Sequence, residues 1–189
     1  MEMDKPILER AVGIMQRDRL SDFVKETHDL GDGCFYYALI SCFNYLYPDR
    51  LLPKSVEVKI REGLKLGKGV KAGEFISEVK RLEPELNLKV DHIINHTDQP
   101  VESIKKGIPI QDQVPVIDSE DGWVRPVPEV STAVTMLKRK GEENRGHFMA
   151  LVENPRFEDG GEVMGGNTEY QRIKDKYVGG LSFIIIKSE

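Results

Sequence analysis

The sequence predicts a single α+β domain in which helices come first and a sheet follows. Three observations carry this reading. Through about residue 83, apolar residues recur every three or four positions, which is helical spacing. Beyond that point, short alternating or apolar segments separated by glycine and proline read as strands. The two patterns are segregated along the chain rather than interleaved, which favours α+β over βαβ alternation. A length of 189 residues gives one domain spanning 1–189, with room for a sizeable core.

Residues 6–26 read as helical, within an N-terminal extension over 1–27. Ile7, Leu8, Ala11, Val12 and Met15 share a face, and Ser21 caps a second short helix carrying Phe23 and Val24. Asp29-Leu30-Gly31-Asp32-Gly33 is a loop with two glycines. Cys34 then opens a segment to Leu46 that is apolar nearly all round, which predicts a central buried helix ended by Tyr47-Pro48-Asp49. Val56, Ile60 and Leu64, then Val70, Phe75, Ile76, Val79 and Leu82, predict two amphipathic helices, with Pro84 stopping the second.

Leu86, Leu88 and Val90 alternate with polar residues as in a strand. Residues 101–106 form a short helix after Pro100, ended by Gly107. Residues 108–117 are a strand that Pro109 and Pro115 push to an edge or break in two. An acidic loop carrying Trp123 covers 118–129; a helix is predicted from Ser131, and 138–145 is a charged, solvated loop. Strands over 147–153, 162–164 and 180–187 close the chain, predicting a C-terminal antiparallel sheet against which the cysteine helix packs.

Composition excludes several classes of function. Lys+Arg 27 against Asp+Glu 32 gives a net charge of -5, the wrong sign for a nucleic-acid footprint. Two cysteines are too few for a disulfide framework or a cysteine-rich zinc site. No apolar run approaches the ~20 residues that span a bilayer. The charged start has no signal-like apolar core, so a cytoplasmic protein with reduced thiols is expected. On that footing the Asn95-His96-Thr97 glycosylation triplet is idle. His92 and His96, beside Asp91, have no third ligand at a fixed spacing, and residues 63–69 lack the spacing and the Ser or Thr of a phosphate loop. Lys138–Lys140 is a short solvated basic cluster. No cofactor, metal, nucleic-acid or membrane partner is expected.

The chemistry-bearing candidate is Cys34, at the start of its helix. A helix N-terminus carries unpaired N–H groups and about half a positive charge, which favours a thiolate over a thiol and can hold an oxyanion. Gly31 and Gly33 permit a sharp turn and close approach of a substrate backbone. Cys42, eight residues on, falls within the helix and reads as packing. A thiolate needs a base, and His147 offers one at a strand start beside Gly146. Asn167, after Gly165-Gly166, is a candidate to orient the imidazole if a hairpin turning at Asp159-Gly160-Gly161 brings it back; Asp159 is the alternative.

Gly-Asp-Gly-Cys-Phe-Tyr-Tyr-Ala-Leu opening a helix, Gly-His-Phe-Met-Ala-Leu-Val opening a strand, and Gly-Asn after the next strand resemble the papain-like cysteine peptidase superfamily. Within it the chain looks most like the bacteriocin-leader-processing peptidases. These place an Ile-x-x-Gly-x-Pro segment between the two motifs, here Ile104-Lys105-Lys106-Gly107-Ile108-Pro109. The resemblance covers roughly residues 28–187 in order.

It implies a papain-like fold and a peptide or protein substrate. It also implies Cys34 as nucleophile, His147 as base and then acid, and Asn167 as holder of the imidazole tautomer. His28 stands where the family usually has an oxyanion-donating Gln, and Asp32, Gly33 and Gly146 complete the implied substrate-binding set. Asn167-Thr168 replaces the common Asp-Pro, and residues 111–145 are longer and more polar than usual. These departures keep a second expectation alongside the first, a catalytically degenerate relative acting as a peptide-binding module.

Overall fold

Helix α1 (Cys34–Leu46) follows the sequence reading closely: of its 13 residues all but Tyr45 are buried. In the computed structural model, the residues described are 34–65, 72–119, 131–139, 142–153, 156–159, 162–164 and 177–188. The expectations for residues 1–33 and for the Trp123 loop lie outside them.

Two helices pack near α1: α2 (Lys54–Lys65) and α3 (Ala72–Leu86). Val56 and Ile60 of α2, and Phe75, Ile76, Val79 and Leu82 of α3, are buried at the predicted spacing. Pro84 does not stop α3, which runs on to Leu86. The proline removes one N–H from the last turn only, and Asn87 N still donates to Glu83 O four residues back at 2.8 Å. Asn87 ends the helix by adopting φ 51, a left-handed cap that Asn tolerates.

The strands are β1 (Leu88–Asn95), β2 (Val116–Asp118), β3 (Ser131–Arg139), β4 (Glu142–Glu153), β5 (Arg156–Asp159), β6 (Glu162–Met164) and β7 (Tyr177–Lys187). They form a seven-stranded sheet in the order β2-β1-β7-β3-β4-β5-β6. The mixed α+β class stands, but the sheet is not purely antiparallel: β2 runs parallel to β1, with Ile93 opposite Val116. A parallel neighbour needs a crossover, and helix α4 (Val101–Lys106) with a 3₁₀ turn (Ile110–Asp112) supplies it. The strand expected over 108–117 is thus reduced to Val116–Asp118 at the sheet edge, and Ile110–Asp112 is the 3₁₀ turn instead.

Residues 131–139 are strand β3 rather than a helix. Their side chains from 131 to 135 are buried on both faces of the sheet, which erases the polar alternation that marks a strand in sequence. The charged stretch 138–145 is not a free loop either, since β3 reaches Arg139 and β4 begins at Glu142.

Strand pairing separates the two faces of the sheet. Val134, Phe183 and Ala150 are side by side, and all three join the helices in one apolar core. Its centre is aromatic: Phe75 stacks on Phe183 at 4.0 Å and meets Phe35 edge-on at 4.9 Å. Each such side chain contributes about 1.5–3 kcal/mol through burial.

Polar ties fix the corners. Asn95 Nδ2 donates to Gln99 O at 2.8 Å and to Asp118 Oδ1 at 2.9 Å, while its Oδ1 accepts from Thr97 Oγ1 at 2.6 Å. Lys80 Nζ reaches Asp112 Oδ1 at 2.6 Å, tying the 3₁₀ turn to α3. Gly73 is required where α3 passes α4, because a Cβ there would lie 2.6 Å from Gly107 O.

Candidate functional site

Cys34 is the first described residue of α1 and is 6% exposed. Cys34 and Cys42 form no disulfide. Cys42 is fully buried, with its Sγ 4.0 Å from Ala133 O of the sheet, in keeping with a packing role.

The start of α1 is set against β4 through its second residue. Phe35 meets Phe148 edge-on at 5.7 Å, and the ring of Phe75 fills the space beside both. Cys34 precedes one ring of this pair in sequence and His147 precedes the other. On β4, His147 is paired with Leu137 and Gly146 with Lys138. The histidine therefore lies within a strand of 12 residues rather than at its start.

Among the other predicted site residues, His28, Asp32, Gly33 and Asn167 lie outside the described residues. The hairpin expected at 159–161 is present, with Asp159 paired to Glu162. β6 is separated from β4 by β5 and runs in the same direction as β4; its last residue, Met164, stands at the level of Phe157 and Leu151. The hairpin strands themselves thus do not return the chain to the level of His147.

A second cluster was not anticipated. Tyr36, two residues after the thiol, donates from its hydroxyl to Glu78 Oε1 of α3 at 2.9 Å. Glu78 is 4% exposed and is neutralised by Arg81, whose Nε lies 3.0 and 3.1 Å from its two oxygens and whose Nη2 also bonds it. The same Nη2 donates to Lys59 O of α2 at 2.6 Å. Gly63 of α2 makes room for this junction: a Cβ would collide with the Tyr36 hydroxyl and sit 2.8 Å from Glu78 Oε1. Burial, and then the Glu78 charge, push the Tyr36 hydroxyl well above its ordinary range, keeping it a donor. The hydrogen bond to Glu78 raises Arg81 further, so the guanidinium stays charged. A sequence signal existed, since Glu78 interrupts the buried spacing Phe75, Val79, Leu82.

On the opposite face of the sheet, His96 Nε2 lies 2.9 Å from Ser182 Oγ, which lies 3.1 Å from Thr135 Oγ1. His92 Nδ1 pairs with Asp91 Oδ2 at 2.8 Å. Among the described residues no three His, Cys, Asp or Glu side chains are grouped to hold a metal, and no helix is long and apolar enough to cross a membrane.

Comparison with protein-family models, with curated proteins and with solved structures returned no match.

Proposed function

We propose that the protein is a cytoplasmic papain-like thiol hydrolase that cleaves peptide or isopeptide-like amide bonds through an acyl-enzyme on Cys34. The observation that carries this reading is Cys34 at the described start of α1, a helix buried nearly all round. In the proposed reaction the Cys34 thiolate attacks the amide carbonyl. The oxygen becomes an oxyanion and accepts from N–H groups at the helix start, where one donor contributes about 3–4 kcal/mol in a formed site. His147, oriented by Asn167, gives its proton to the leaving amine as the C–N bond breaks. A water that loses its proton to His147 then releases the acid and restores the thiol.

The burial of Cys34 favours a second reading, a peptide-binding module on the same fold that keeps the cleft without the chemistry. Alkylation separates the two. With iodoacetamide near neutral pH, Cys34 of the hydrolase should react faster than a free cysteine, and His147→Ala should slow it by about tenfold or more. Equal rates in the two proteins overturn the activated thiol. So does a substrate-bound crystal structure in which Cys34 Sγ stays beyond the roughly 4 Å from the His147 ring that a thiol–imidazole pair allows.

A further inference from the structure

We propose that the Tyr36–Glu78–Arg81 junction is a positioning device that fixes the rotation of α1 about its own axis and so sets the direction of Cys34. The proposal deepens the thiol-hydrolase reading and rests on it for its catalytic meaning.

A helix buried mainly by apolar side chains has a weakness. Helix α1 is buried on nearly every side and mostly by apolar side chains, whose contacts change little when the helix turns about its axis. Hydrophobic burial is non-directional and defines such a rotation poorly. A hydrogen bond is directional, and Tyr36 supplies one in the first turn.

Its acceptor is itself immobilised. Glu78 is bonded through both oxygens by Arg81, and Arg81 is anchored on the α2 backbone at Lys59 O. Gly63 allows α2 to close over the hydroxyl without displacing it. Three helices thus converge on one atom of the α1 first turn. At 3.6 residues per turn, Cys34 and Tyr36 are about 200° apart around the axis. Holding Tyr36 toward α2 and α3 therefore turns Cys34 to the far side, away from those helices. Tyr36 is a positioning residue, acting on the thiol through the backbone of one turn.

The experiment uses the full chain with Tyr36→Phe, Glu78→Gln and Gly63→Ala, each also in a His147→Ala background. Two readouts are taken: amide hydrogen exchange along α1, and the rate of Cys34 alkylation by iodoacetamide. In Tyr36→Phe, exchange should quicken in the first turn by roughly tenfold, the scale of one lost buried hydrogen bond, and stay unchanged from Ser41 to Leu46. The effect of His147→Ala on alkylation should shrink toward none. Glu78→Gln, which keeps an oxygen facing Tyr36, should retain most of the protection. Gly63→Ala, pressing on the same hydroxyl from α2, should reproduce the Tyr36→Phe pattern, and it carries the test if Tyr36→Phe does not fold.

Unchanged first-turn exchange and unchanged alkylation in the folded variants overturn the proposal. If His147→Ala has no effect in the parent protein, the hydrolase reading falls; the exchange pattern then still decides whether Tyr36 fixes the helix.

Discussion

The two faces of the central sheet are built from different materials. Facing the helices are Val134, Phe148, Ala150, Phe183 and Ile185, in a core dominated by stacked rings. On the other face, strand pairing puts Thr135 beside Ser182 and Met149, and Ala133 beside Ile184. These side chains are as deeply buried as the first set, but most are small or carry hydroxyls, and none joins the aromatic core. One face is held by shape and area. The other closes through a hydroxyl line, His96–Ser182–Thr135, in which each atom depends on its neighbour. Burial alone does not say how a region is stabilised, so the two faces should respond differently to mutation.

The largest effect is expected on the ring face. Phe75→Ala removes a side chain in contact with Phe35, Phe148 and Phe183 at once. It should lower the unfolding free energy by about 3–5 kcal/mol, read from the urea midpoint. An intermediate effect is expected on the hydroxyl face. Ser182→Ala deletes the atom shared by His96 and Thr135 and should cost about 1–2 kcal/mol, although very little volume is lost. Adding Thr135→Val should cost less than the sum of the single changes, because both act on one line. Strict additivity would show that the hydroxyls act independently and would weaken the contrast between the faces.

The smallest effect appears as a pH dependence and tests the polar exception on the helix side. The Tyr36 hydroxyl is raised above its ordinary 10.0, by burial first and the Glu78 charge second. Above that pH the unfolded chain releases a proton that the folded protein keeps. The associated stability is therefore complete below about pH 10 and is lost as the pH rises further. Urea midpoints taken from about pH 8 to about pH 11 should fall less steeply in Tyr36→Phe than in the parent. Parallel curves would count against this coupling.

The helices were legible in sequence, whether they have one wet face or none. Val56 and Ile60 marked α2 by spacing alone, and the unbroken apolar run after Cys34 marked a helix buried all round. Ser131–Arg139 was not legible: with residues 131–135 buried on both sides, neither period stands out, and Ser-Thr-Ala-Val-Thr suits a helix start as well as a strand. Pro84 misled because a proline in the last turn costs a helix little. The parallel pairing of β2 depends on the crossover through α4, a long-range choice that local pattern does not encode. At the candidate site, the sequence placed Cys34 in a buried helix and His147 in a strand. It did not identify what holds the helix start, because Tyr36, Glu78 and Gly63 come from three separate helices and meet only in space.

The outer margins of the sheet have a consequence for how the protein behaves at high concentration. β4 and β7 have 12 and 11 residues, yet the outermost of the described strands, β2 and β6, have three described residues each. A sheet grows by recruiting another chain along an unsatisfied backbone edge, and three residues offer such a recruit only one or two bonds. Pro115, immediately before β2, has no N–H to offer. Among the described strands β7 is enclosed between β1 and β3, whereas β4 is paired on its outer side only within Ala150–Glu153. The short margins act as stops against self-propagating assembly, and the outer side of β4 ahead of Ala150 is the described edge where a recruited strand would find the most bonds.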